Sequence, residues 1–157
     1  MKYIGTAKVY LVQHGEAKPA EEDPSRPLTP RGEEEVKQIA NFLRRINVRV
    51  KKIFHSGKLR AFQTASILAE AVEAEIEQVE GLEPGADPGI WYGRLNMVEE
   101  DQMLVGHLPH LSRLASLLLT GDPKKEVIKF RYGAVICLEK YEDGWAILWM
   151  IRPDLLK

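Results

Sequence analysis

The chain has 157 residues, enough for one core of ordinary size, and it is read as a single domain over residues 1–157. It is 45% hydrophobic and 29% charged, with 22 basic against 23 acidic side chains. That balance excludes a disordered chain and shows no electrostatic footprint for nucleic acid or a membrane surface.

Residues 7–12, Ala7-Lys8-Val9-Tyr10-Leu11-Val12, read as a strand, and the polar stretch 16–26 with Pro19 and Pro24 reads as a loop. Thr29-Pro30 opens a helix whose Val36, Ile39, Ala40 and Leu43 share one face. Residues 52–55 form a short second strand, followed through Ser56-Gly57 by a helix with Ala61, Ala65, Leu68 and Val72 in line. A third strand is expected at 76–79, a Gly/Pro-rich loop at 81–88, a short helix at 90–98, and a fourth strand at 102–105 closed by Gly106-His107. A helix from 109 to 119 and two alternating strands, near 133–141 and 145–151 and joined at Asp143-Gly144, finish the chain. This order of elements predicts an α/β fold, a three-layer α/β/α sandwich whose mostly parallel sheet carries an antiparallel edge strand. No signal peptide is visible, and no apolar run nears the roughly 20 residues that cross a bilayer, so the expected compartment is cytoplasmic. Cys137, the sole cysteine, sits in an apolar run and reads as a small buried hydrophobe.

Ligands in such folds bind at the carboxyl ends of the strands. His14, His55 and His107 all stand at strand ends, and Arg60 stands near the start of a helix, where free N–H groups and the helix dipole attract an anion. A neutral imidazole is a competent nucleophile, and a following glycine lets the backbone turn beside a ligand. Phosphoryl transfer needs positive charge and donors around the equatorial oxygens, which Arg60 and His107 can supply. Each piece alone has a plainer reading. Arg60 is compatible with a solvated helix residue, and His55 reads as a strand-end residue bonded to backbone. His107-Leu108-Pro109-His110 is compatible with a simple helix entry. Trp91 and Tyr92 are open between core and substrate contact.

Four ordered segments resemble the histidine phosphatase (phosphoglycerate-mutase-like) superfamily, and its small SixA-like branch in particular. They are Val12-Gln13-His14-Gly15-Glu16-Ala17, Arg26-Pro27-Leu28-Thr29-Pro30-Arg31-Gly32, Ser56-Gly57-Lys58-Leu59-Arg60-Ala61-Phe62-Gln63-Thr64-Ala65 and Val105-Gly106-His107-Leu108-Pro109. The resemblance implies that His14 attacks phosphorus and becomes phosphohistidine, that Arg60 and His107 bind the phosphoryl oxygens, and that no metal or organic cofactor takes part. The catalytic set is then His14, Arg60 and His107, and the phosphate-binding set is Gln13, His14, Arg60, His107 and Arg26. The implied partner is a phosphorylated protein bearing phosphohistidine, or a small phosphorylated substrate.

Two departures stand out. The family usually has arginine where this chain has Gln13, and glutamine donates a hydrogen bond without charge. Lys18, Arg26 and Lys58 are candidates to restore that charge, and Arg26 is favoured because its loop is expected to fold back over the His14 turn. Larger relatives place a glutamate after the third strand as general acid. Here Glu83 lies near that place, with a solvated loop carboxylate as its other reading. A phosphoramidate substrate needs such an acid less, because a protonated imidazole leaves without becoming an alkoxide. The stretch between the third and fourth strands, about twenty residues, is too short for a large lid. The competing readings are a small-molecule phosphomonoesterase and a phosphate-binding pseudo-enzyme in which Gln13 marks low turnover. A metal hydrolase lacks support, because the chain has no His-Glu-x-x-His element.

Overall fold

The computed structural model describes residues 5–157. Its first strand, β1 (Ala7–Gln13), is apolar on both faces from Val9 to Val12 and buried throughout that stretch. A strand of this kind needs cover on both sides, and the rest of the chain provides it. There follow α1 (Pro30–Arg45), β2 (Lys52–His55), α2 (Leu59–Val72), β3 (Glu75–Gln78), α3 (Pro88–Leu95), β4 (Gln102–Gly106), α4 (His110–Thr120), β5 (Val135–Tyr141), β6 (Gly144–Ile151) and a 3-10 turn, Pro153–Leu156.

The strands form one sheet in the order β3-β2-β4-β1-β5-β6. β3, β2, β4 and β1 run parallel, while β5 is antiparallel to β1 and β6 to β5. The antiparallel strand of the expected sandwich is therefore β5, one place in from the edge. The hairpin turn at Glu142 and Asp143 returns the edge strand β6 to the common direction. Period-two alternation splits β1 between two cores. Tyr10 and Val12 meet Val36, Ile39, Leu43, Ala65 and Leu68 of α1 and α2 on one face. Val9 and Leu11 meet Trp91, Leu95, Leu111 and Leu114 of α3 and α4 on the other. Cys137 lies wholly inside, and burial pushes its thiol up to about 11.

Local chemistry sets the element ends. Thr29 caps α1 by accepting from Gly32 N–H at 2.9 Å, with Pro30 in the first turn. The same device starts α3 two residues earlier than expected. Asp87 accepts from Gly89 N–H at 2.8 Å ahead of Pro88, a cap-and-proline entry that outweighs the aromatic pair behind it. β3 lies one residue earlier than its apolar residues suggested. It is an edge strand with mostly exposed side chains, so pairing and not burial fixes its register, and Val79 N–H still bonds His55 O at 2.9 Å.

Candidate active site

The chain leaves β1 towards α1 on one face of the sheet and β4 towards α4 on the other. Adjacent strands whose connections diverge leave a crevice at their carboxyl ends. His14 is the first residue past β1, and His107 the first past β4. Gln13 pairs with Gly106, and His14 N–H donates to Gly106 O at 3.1 Å. The two imidazoles consequently face each other with centroids 4.9 Å apart, about the spacing of neighbouring strands.

His14 is only 5% exposed. Its Nδ1 lies 2.7 Å from Gly15 O, and a carbonyl only accepts, so Nδ1 carries the proton and Nε2 keeps the lone pair. Burial lowers its pKa to about 4; the Gly15 carbonyl opposes this, and the charges of Arg60 and Arg26 add to it. The ring is therefore neutral near pH 7. His107 is also buried, with Nε2 2.6 Å from Ser56 Oγ. Ser56 Oγ also accepts from Lys58 N–H at 3.3 Å, which leaves its own proton available to His107 Nε2. His107 Nδ1 is buried and has no partner among the described residues. Burial first, then the charges of His14, Arg60, Lys58 and His110, lowers its pKa to about 3.

Arg60 enters from the first turn of α2, a helix without a side-chain N-cap bond. Its Nε is buried and unpartnered, and burial together with Arg26 lowers its pKa while Tyr132 opposes the shift. The unpartnered Arg60 Nε–H and His107 Nδ1 beside the His14 lone pair form a set of groups that an oxyanion would satisfy, with His107 as donor when its proton is on Nδ1. Arg26 also reaches this set. Ala17 bridges to Leu28, Lys18 N–H donates to Pro27 O at 2.8 Å, and Arg26 Nε donates to Lys18 O at 2.9 Å. The loop thus folds back over the His14 turn, and the Arg26 charge acts on both His14 and Arg60. Gln13 is buried, and its Oε1 has no partner.

The other expected residues are not among the groups that shift His14. Glu83 Oε2 accepts from Gly81 N–H at 3.0 Å, and its charge acts on His110, not among those shifting His14. His55 Nδ1 accepts from Gly57 N–H at 3.1 Å, the strand-end role expected of it. Trp91 is core, packed 5.3 Å from Phe54 with its Nε1 donating to Glu80 O at 2.9 Å, and Tyr92 packs against the same core.

Three further residues contribute that the sequence reading did not single out. Tyr132, 39% exposed, lies 5.6 Å from the His14 ring, carried by a turn whose Gly133 N–H donates to Gln13 O and His14 O. Thr64 Oγ1 accepts from Gly15 N–H at 3.0 Å and donates to Arg60 O at 2.8 Å, joining the nucleophile turn to α2. Ser56 Oγ pairs with His107 Nε2 at 2.6 Å. Thr64 and Ser56 lie inside the motif that signalled Arg60, whereas Tyr132 had no local signal, since only the pairing of β5 with β1 brings it near. Among the described residues no three His, Cys, Asp or Glu side chains gather as a metal-binding group, and no helix is long and apolar enough to cross a membrane.

The model of the histidine phosphatase superfamily (branch 1) matches residues 9–104. The chain belongs to this superfamily. Its members are phosphatases and mutases, and the likeness here is to the SixA-like branch. The phosphohistidine phosphatase SixA of Escherichia coli strain K12 is 28% identical over 158 residues, covering 96% of each chain. An uncharacterized protein of Picosynechococcus is 34% identical over 142 residues, covering 81% of this chain and 86% of its own. The solved structure of the protein histidine phosphatase SixA with tungstate superposes with a TM-score of 0.84 at 26% identity, over 96% of this chain and 99% of that one.

Proposed function

We propose that this histidine phosphatase superfamily member hydrolyses phosphohistidine on a protein through a phosphorylated His14. The observation that carries the reading is the state of His14: neutral, with Nδ1–H held by Gly15 O and Nε2 free beside Arg60 and the unpartnered Nδ1 of His107. In the first step His14 Nε2 bonds to phosphorus as the substrate P–N bond breaks. The substrate ring, protonated on its other nitrogen, leaves as neutral imidazole, so no acid is needed at the leaving atom. Arg60, Arg26 and His107 stabilise the charge on the equatorial oxygens. In the second step water attacks phosphorus, the P–Nε2 electrons return to His14, and the water proton passes to the released phosphate or to solvent.

Two features of the chain support phosphohistidine over an unactivated phosphate ester. The nearest candidate acid, Glu83, is engaged with Gly81 N–H and acts on His110, and the chain between β3 and α3 forms no large lid that would enclose a metabolite. Incubation with a protein carrying radiolabelled phosphohistidine should transiently label His14, and His14→Ala should take up no label. Unlabelled wild type, or turnover that persists in His14→Ala, would refute the reading. Turnover of sugar phosphates well above that of phosphohistidine would instead favour a small-molecule phosphomonoesterase.

A further inference from the structure

A cleft outside the donor set described above opens beside it. The first turn of α4 and the connection from α4 to β5 part to leave a cavity of about 500 Å³. Leu108 and Phe130 line it with apolar surface, and Arg113, Lys124 and Lys129 bring three cations. Glu126, the carboxylate in its lining, pairs with Lys129 at 2.6 Å. Asp122 accepts from the backbone N–H of Lys124 at 2.9 Å. Neither the Arg113 guanidinium nor the Lys124 ammonium has a carboxylate within ion-pair distance among the described residues. In a chain of net charge −1 these two cations are a local excess.

The cleft continues from the site. Leu108 directly follows His107 and is 39% exposed, and Phe130 stands two residues before Tyr132 at the His14 ring. It lies between Ser112 and Arg113 in the first turn of α4 and residues 123–130 of the connection to β5. A segment leaving the His14 crevice along this path would lay apolar side chains on Leu108 and Phe130 and carboxylates on Arg113 and Lys124.

We propose that this cleft docks an acidic, extended segment of the phosphorylated protein, next to the residue presented to His14. The proposal rests on the reading of the chain as a protein phosphohistidine phosphatase. Its energetic source is charge complementarity on an apolar floor. Two solvent-facing charges supply about 3- to 30-fold in affinity, an effect that weakens as salt rises.

The test uses labelled 12-residue peptides with a central histidine, flanked by Asp and Glu or by Ser, in unphosphorylated form for binding by fluorescence anisotropy and in phosphohistidine form for turnover. Wild type should bind the acidic peptide at least threefold more tightly than the Ser peptide and turn it over with a correspondingly lower KM. The Arg113→Glu/Lys124→Glu variant should erase or invert that preference, and Arg113→Gln/Lys124→Gln should reduce it. Both variants should keep kcat/KM for free phosphohistidine within twofold of wild type. Equal binding of the two peptides by wild type, or an unchanged preference in the Glu variant, would overturn the docking surface. So would tighter binding of a uridine oligonucleotide of equal charge, which would assign the cleft to nucleic acid. If the acidic preference holds and disappears in the Glu variant while wild type leaves free phosphohistidine intact, the cleft stands as an acidic-segment site and the phosphatase reading falls instead.

Discussion

If Arg26 supplies the charge that Gln13 lacks, removing it should cost about one charge-assisted hydrogen bond to the transferring phosphoryl group. Such a bond contributes about 1.5–3 kcal/mol, which is roughly 10- to 150-fold in kcat/KM. The backbone offers an unusually clean substitution. Arg26 sits at φ 48°, a left-handed conformation that costs a non-glycine residue about 1–2 kcal/mol and a glycine nothing. Arg26→Gly should therefore melt no lower than wild type, losing the Nε bond to Lys18 O but shedding the strain, while its turnover and its inhibition by vanadate both weaken by tenfold or more. Removing the cation should also let the His14 pKa rise from about 4, moving the acid limb of activity upward. In the Arg26→Gly background, Gln13→Arg should restore most of the loss, while in wild type it should add less, because the two charges serve one anion. Steady-state kinetics on phosphohistidine with vanadate titrations in all four variants measures this coupling. Arg26→Gly within twofold of wild type, or a fully additive cycle, would refute the reasoning.

If Ser56 Oγ donates to His107 Nε2, Ser56→Ala should let the His107 proton leave Nδ1, visible in nitrogen NMR shifts, and lower kcat/KM about tenfold; an unmoved tautomer would show that Ser56 is not the donor. Thr64→Val leaves Gly15 N–H buried without a partner and should lower stability by about 1–3 kcal/mol and reduce kcat more than KM, by denaturant melts and kinetics respectively. Acid should destabilise the fold well above the carboxylate range. His14 and His110 have folded pKa values lowered to about 4 and His107 to about 3, all by burial, against about 6.5 unfolded, so the unfolded chain binds the extra protons. Stability is complete above pH 6.5 and is lost as pH falls towards 4, by up to about 2 kcal/mol per histidine at pH 5. Urea melts at pH 7.5 and 5 measure this, and a flat profile would show that these rings are not held neutral.

The order of elements was legible because its signals are local. Val9–Val12 and Met103–Val105 are apolar on both faces, and α1 and α4 carry apolar stripes closed by a cap at Thr29 and a left-handed glycine at Gly121. The start of α3 lies two residues before the expected one because residues 81–88 read as a Gly/Pro-rich loop, which masks the Asp87-Pro88 entry. At the site, His14 and His107 were legible as strand-end residues, and Arg60 as a helix-start cation. Their meeting was implied by the family resemblance and not by any local pattern, since it depends on β1 lying beside β4, two strands almost ninety residues apart in sequence. Tyr132 depends equally on the register that sets Val135 opposite Val12. No local pattern encodes either pairing.

The motif around Arg60 divides its labour in a way that bears on Gln13. Arg60 faces the crevice, Thr64 holds Gly15 N–H, and Gln63 Oε1 accepts from Leu28 N–H at 2.7 Å, so two of the three staple loops together. The nucleophile turn is further held by backbone bonds alone: Gln13 N–H to Ala134 O, Gly133 N–H to Gln13 O, and His14 N–H to Gly106 O. None of these uses the side chain at position 13. Exchanging arginine for glutamine there leaves the position of His14 intact and changes only the field around the anion. A weaker field costs most where the barrier is high, as with an alkoxide leaving group, and least where the P–N bond is already labile. It also loosens the hold on product phosphate. Gln13, the neutral His14 and a Glu83 carboxylate bonded to Gly81 N–H are thus three features that suit the proposed substrate, one whose leaving group requires neither a strong field nor an acid.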